Sequence, residues 1–376
     1  MNILINFSTL KKGGGQNVAL NFLSTLYQLN EEENNFYFIV AKNSAIHFLI
    51  KKKMKSNYYV FPQNPILRIF FEICTGKRIL KNNKIDIIYS YFGYGVFRGK
   101  IPQVTGAVDS NILFPEINFW EGYKGLNLIK RRLIDIYRKW GLKHAKGIIF
   151  ENITLENRFH KLFFTNALST TIKPSIKLDY HKKEFILPKE IENVKKGLFL
   201  CGWHLNKNVL IIPLIAHLLK KMNIIFHFIL TAPNDYSYIH KQFISLINKY
   251  DVAEYISIVG SVLKEELYSL YQQIDYVFLL SRLESFSNNI IEAWSYKKAI
   301  IITDALWARS ICDNAAIYVD RDDASNIALQ IDKLLSNNVL SDEIIKNGVE
   351  KLKEYPNIEE KTKSELNFIK KVYEYN

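Results

Sequence analysis

Short apolar runs alternate along the chain with longer stretches in which apolar residues recur every three or four positions. Runs of four to eight apolar residues bounded by turn residues read as buried strands, and the longer period reads as a helix with one apolar face. On this pattern a first set of strands is expected at residues 1–7, 35–41, 85–92, 101–108 and 146–152. Between the first two, Val18, Leu20, Phe22, Leu23 and Leu26 fall at helical spacing and predict a crossover helix over 18–29. A second set follows at 197–202, 224–232, 255–260, 274–280, 298–303 and 315–319, again alternating with helical stretches.

Two such series predict an α/β chain of two doubly wound, Rossmann-like domains, since strand and helix in alternation build parallel sheets. The length of 376 residues also exceeds one compact core. We place the domains at 1–180 and 190–355, joined through a polar stretch around 175–195 with Pro174 and Pro188 nearby. An amphipathic stretch, 356–376, is expected to form a last helix that packs back on the first domain. Open parallel sheets bind ligands at the carboxyl ends of their strands. Two facing sheets are therefore expected to leave an interdomain cleft, a geometry suited to joining two substrates.

Composition narrows this picture. Apolar residues make up 48% and charged residues 23%, proportions of a folded globular protein rather than a disordered one. Cys74, Cys201 and Cys312 are too far apart for a closely spaced zinc motif and too few for a disulfide framework, which suits a reducing compartment. The start lacks a basic segment ahead of an apolar one, and its apolar run stops at Lys11. With no apolar run of membrane-spanning length, a cytoplasmic protein is expected, soluble or peripheral on the inner face of the membrane.

Net charge is +13 and unevenly spread: residues 1–190 hold 29 Lys and Arg against 14 Asp and Glu, the rest 21 against 23. A basic half suggests an anionic surface or substrate. Basic residues gather in 51–55 and in 126–140, where Leu126, Ile129, Leu133, Ile136 and Trp140 share one helical face and Lys130, Arg131, Arg138 and Lys139 lie elsewhere. This suits an interfacial helix at an anionic leaflet and equally a core helix with a solvated basic face. The basic residues form no nucleic-acid-binding motif, so a nucleic-acid partner is not expected.

Candidate chemistry concentrates in residues 281–293, Ser-Arg-Leu-Glu-Ser-Phe-Ser-Asn-Asn-Ile-Ile-Glu-Ala, directly after an apolar strand. Glu284 falls in a loop, Ser287, Asn288 or Asn289 suits a helix start, and Glu292 lies one or two turns inside. Free amides at such a start form an anion site suited to a diphosphate, flanked here by two carboxylates that can accept hydrogen bonds from sugar hydroxyls. Two ordinary surface acids flanking a helix would have the same sequence. Glu284-Ser285-Phe286, five residues, then Glu292-Ala293, resembles the Glu-x7-Glu signature of the retaining GT-B glycosyltransferases of family four. Val259-Gly260-Ser261-Val262, Glu266-Leu267, Leu270-Tyr271 and Asp275 upstream, and the stretches 298–304 and 313–320 downstream, resemble the family's continuation, so the likeness spans about 196–335.

The resemblance implies roles. Lys207 of Cys201-Gly-Trp-His-Leu-Asn-Lys-Asn208 matches a cation that holds the donor diphosphate, with Asn208 beside it. Trp203 stands where the family usually has Arg, and His204 or Arg282 are candidates to compensate. A solvated lysine at a helix start is the plainer reading of Lys207. Gly14 and Gly15, in the loop Lys11-Lys-Gly-Gly-Gly-Gln16, match an early glycine pair that faces the donor phosphates; glycines there also permit close approach of a ligand. Asp109 follows another strand, where the family often has a His-Asp pair; it is a candidate to contact the acceptor or transferred sugar, or simply caps the next turn.

Ser261 and Val262 are implied at the nucleotide base, Ser285, Phe286, Ser287 and Asn288 at the diphosphate, Glu284 at the transferred sugar and Glu292 at the ribose. The implied reaction moves a hexosyl group from a UDP- or GDP-linked sugar to a glycan, such as a polyprenyl-diphosphate-linked acceptor of bacterial O-antigen or capsule synthesis. The resemblance implies a reaction that needs no metal or other cofactor. A nucleotide-sugar epimerase of the same fold and a basic nucleic-acid binder are the alternatives.

Overall fold

Eleven expected strands form, and two more appear at the edges. The computed structural model describes residues 1–11, 13–29, 33–53, 57–62, 71–93, 100–175, 183–188, 191 and 193–376. Lys12 of the glycine loop, Met54 and Lys55 of the basic run, and residues 176–182, 189, 190 and 192 of the expected connection at 175–195 lie outside these residues. The first sheet comprises β1 (Asn2–Phe7), β2 (Asn35–Ala41), β3 (Tyr58–Phe61), β4 (Ile87–Ser90), β5 (Gln103–Ala107), β6 (Gly147–Phe150) and β7 (Leu168–Thr171). All pair in parallel, in the order β3-β2-β1-β4-β5-β6-β7.

The second sheet comprises β8 (Lys196–Phe199), β9 (His227–Leu230), β10 (Ile256–Ile258), β11 (Tyr276–Leu279), β12 (Ala299–Thr303) and β13 (Ile317–Val319), parallel throughout in the order β10-β9-β8-β11-β12-β13. Its central strands are buried at every position, which is why they read as unbroken apolar runs rather than alternating ones. Phe199 and Phe278 stack across β8 and β11 with centroids 4.9 Å apart. In each sheet the strand order reverses once, between β1 and β4 and between β8 and β11; crevices outside such switch points are where doubly wound sheets hold ligands.

The chain separates into two compact units: Met1–Pro115, Lys124–Lys177 and Pro356–Asn376 form one, Glu116–Tyr123 and Leu178–Tyr355 the other. The sequence reading puts Glu116–Tyr123 in the first domain, whereas it clusters with the second. Long-range contacts invisible in the sequence hold it there: Glu121 pairs with Arg282, and Gly122, at φ +84°, lies so close to Leu205 that a Cβ would sit 2.6 Å from its side chain.

In the first unit the last helix, Ile358–Tyr375, starts with a capping box between Asn357 and Glu360. It buries Leu366, Phe368, Ile369 and Val372 in a core with Ile3, Phe7, Phe22 and Tyr89. Gly147 of β6 makes room for it, since a Cβ there would lie 2.5 Å from Val372 and 3.2 Å from Phe368. Gly147→Ala is expected to cost about 1–3 kcal/mol through overpacking, read as a lower urea midpoint; an unchanged midpoint would refute this account of the helix seat.

Candidate functional site

The second unit gathers chemistry at its switch point. β8 ends in the loop that leads to a single turn of 3-10 helix, Leu205–Lys207, and β11 ends in the loop that carries Glu284. Lys207 Nζ donates to Glu284 Oε1 at 2.5 Å, so a cation and an anion delivered by neighbouring strands meet across the crevice. Burial pulls the lysine pKa down, and the Glu284 charge and hydrogen bond outweigh it, leaving the ammonium above its ordinary value. Lys207 is thus a fixed cation rather than a solvated lysine.

Asn206 makes the pairing possible. Its buried amide donates to Leu283 O at 2.9 Å and accepts from Leu283 N at 3.1 Å, while its own carbonyl accepts from Arg282 N at 2.8 Å. Three hydrogen bonds therefore fix the two loops to one another. Nothing in the sequence pattern distinguished Asn206; the only signal was its place between His204 and Lys207. Asn208 takes the left-handed conformation, φ 58°, which Asn tolerates better than most residues, and its amide donates to Arg321 O at 2.5 Å.

Trp203 does not replace the cation it displaces. Its indole donates to Pro233 O at 2.5 Å and stacks on His240 at 4.8 Å, which commits the side chain to packing. Both proposed substitutes are also engaged: His204 Nδ1 accepts from Asn206 N at 3.1 Å, and Arg282 pairs with Glu121.

The helix Asn288–Ser295 begins where expected, with Ser287 at its N-cap. The Ser287 side chain makes no capping hydrogen bond, and Asn289 instead donates to Leu200 O at 2.9 Å, tying the helix start to the end of β8. Ser285 and Phe286 lie half-buried in the preceding loop. One turn into the helix, Glu292 accepts from Tyr271 OH at 3.2 Å. Burial lifts its carboxyl from 4.5 to about 7, opposed by the Tyr271 hydrogen bond and the Lys264 charge. A carboxylate poised near neutrality in this way is a frequent mark of a functional site. Gly260, at φ +80°, turns the chain after β10 and presents exposed Ser261 and half-buried Val262.

The remaining candidates belong to the first unit. Gly14 and Gly15 open the helix Gly14–Leu29 after a turn at Gly13, φ +83°, and Gly15 packs against Leu10 and Phe92. Asp109 stands at the N-cap of the short helix Ser110–Leu113 but makes no side-chain capping bond; its carboxylate pairs with Arg138 at 2.9 Å. The capping role is therefore not the one it fills. Among the described residues no group of His, Cys, Asp and Glu has the arrangement of a metal site.

Residues 210–351 match the family model described as glycosyl transferases group 1. No curated protein matches the chain. Among solved structures, the chain is similar to sucrose-phosphate synthase from Thermosynechococcus elongatus, at 13% identity over 100% of both chains with a TM-score of 0.76. It is similar to HepE of Anabaena in complex with UDP and glucose, at 15% identity over 99% of this chain and 100% of that one, TM-score 0.70. It is also similar to WaaG, a glycosyltransferase involved in lipopolysaccharide biosynthesis, at 14% identity over 97% and 98%, TM-score 0.68. At these identities the likeness establishes the fold.

Proposed function

We propose that this chain, a group 1 glycosyl transferase by its second unit and GT-B in fold, moves a hexosyl group from a UDP- or GDP-linked sugar to a lipid-linked glycan with retention of configuration. The observation that carries this reading is the Lys207–Glu284 pair across the switch point, beside the amides of a helix that also holds Glu292. Donor binding exchanges that pair: Lys207 turns to the diphosphate and Glu284 to hydroxyls of the transferred sugar, while Glu292 accepts from the ribose. As the diphosphate leaves, Lys207 and the amides near Phe286 to Asn288 meet the developing charge. By the family resemblance alone, Gly14 and Gly15 are assigned to the donor phosphates and Asp109 to the acceptor. Lysine and backbone do the work a cation would otherwise do, so the reaction needs no metal. The UDP-containing structure of HepE and the lipopolysaccharide role of WaaG favour a nucleotide-sugar donor and a bacterial surface glycan.

The test is thermal stabilisation by UDP, GDP, ADP and CDP, since a ligand of the native state raises Tm by mass action. One diphosphate is expected to stabilise selectively, and Lys207→Ala to weaken it by roughly 10- to 100-fold, the worth of a charged hydrogen bond. No response to any of the four sinks the donor site. Product formed without an added acceptor turns the assignment to an epimerase.

A further inference from the structure

The helix Gly125–His144 is mounted with its charged face toward the protein and its apolar face toward solvent. Leu126, Ile129, Leu133, Ile136, Tyr137 and Trp140 fall within an arc of about 100° at the α-helical repeat. All six are exposed, Leu126 by 84% and Ile136 by 62%. On the opposite side Arg138 pairs with Asp109 and Asp135, and only Gly141 and Leu142 of the helix are buried. Surface helices ordinarily present the reverse arrangement, apolar stripe inward. Of the two readings left open by the sequence, the core helix is excluded.

We propose that this helix is a docking surface for a membrane leaflet containing anionic phospholipid, lying in the plane of the interface with its apolar stripe among the acyl chains. Charge selects this occupant. Lys130, Arg132, Lys139 and Lys143 are exposed along the flanks of the stripe, placed to meet lipid phosphates. Tyr137 and Trp140 stack at 6.3 Å near one end, rings of the kind that settle at headgroup depth. A second copy of the chain would set these four cations against their own counterparts, which like-charge juxtaposition disfavours. Among the described residues no helix is long and apolar enough to cross a membrane, and a helix lying flat needs none. The surface stands on this geometry alone; its purpose rests on the transferase reading, in which a lipid-linked acceptor occupies the same leaflet and Arg138 ties the helix to Asp109.

The test is co-sedimentation of the full chain with vesicles of phosphatidylcholine, alone or mixed with phosphatidylglycerol. The chain is expected to bind the anionic vesicles about tenfold or more tightly than the neutral ones, and less tightly as salt rises. Leu133→Gln with Ile136→Gln should weaken binding by roughly tenfold or more without lowering Tm, because both side chains are already in water. Lys130→Glu with Lys139→Glu should abolish the preference for anionic lipid. Failure to bind anionic vesicles overturns the proposal, as does undiminished binding by the glutamine variant. A concentration-dependent dimer that the same glutamines disperse also overturns it, by assigning the stripe to a second copy. Vesicle binding requires no nucleotide, so failure of the donor site leaves this result unaffected.

Discussion

Glu292→Gln is expected to raise the melting temperature at pH 8 while weakening stabilisation by the nucleoside diphosphate. Burial holds this carboxyl at about 7 rather than 4.5, so the folded state keeps a proton that the unfolded chain has released. A carboxyl raised in this way favours the fold below pH 4.5, and its contribution is lost as pH rises toward 7. Above that the penalty is constant, up to about 3 kcal/mol for such a gap. A neutral amide of the same shape escapes it, so the variant should gain several degrees over wild type at pH 8 and little at pH 5. The ligand works in the opposite sense: ribose hydroxyls donate best to an ionised carboxylate, so diphosphate binding by the wild type should tighten between pH 6 and pH 8 beyond any change seen in the variant. Equal Tm gains at both pH values would remove the burial account, and undiminished nucleotide binding would remove the ribose assignment.

A carboxyl whose burial is costly to the fold is a local violation of the kind expected at functional positions. The strands of both sheets were legible because their residues are buried on both faces, which leaves continuous apolar runs. β7 was not, because Leu-Ser-Thr-Thr carries no such run; it is half-buried at every position and pairs with β6 through its backbone, Gly147 opposite Leu168. β3, four residues at the other edge, has only Phe61 buried. Edge strands are defined by their neighbours more than by their own composition.

The site divides in the same way. Glu284, Glu292 and Lys207 were singled out through the family resemblance, since ordinary surface residues would read the same; the structure brings Lys207 to Glu284 and Glu292 to Tyr271, and the helix start at Asn288 followed from capping preferences. Asn206 was invisible because its role is a loop-to-loop clamp spanning 77 positions. Trp203 could be recognised as a departure, yet its packing on His240 depends on a helix more than thirty residues away. The helix Gly125–His144 shows the limit most sharply: periodicity reveals that an apolar stripe exists, while the side it turns to the protein shows only in long-range contacts such as the Arg138–Asp109 ion pair and the burial of Leu142.

Glu365→Ala is expected to be the most damaging single change outside the site, costing about 3–5 kcal/mol. Lys361 and Glu365 pair one turn apart on the last helix and are only 5% and 2% exposed. Lys361 also donates to Tyr91 OH at 3.4 Å. Burial pushes the Glu365 carboxyl up, opposed by the Lys361 charge and by hydrogen bonds from Lys361 and Tyr89. Removing the carboxylate strands an ammonium among apolar side chains, whereas replacing both partners removes the desolvation cost of each. Lys361→Met with Glu365→Leu should therefore cost far less than the sum of the single changes, a coupling of about 2 kcal/mol or more in a urea-unfolding cycle. If the single change costs under about 1 kcal/mol, or the double equals the sum, the pair is not what fixes this helix. If the cycle closes as expected, its specific geometry explains why an amphipathic segment, able to cover many apolar surfaces, seats Glu365 beside Tyr89 and Lys361 beside Tyr91 at the end of β4.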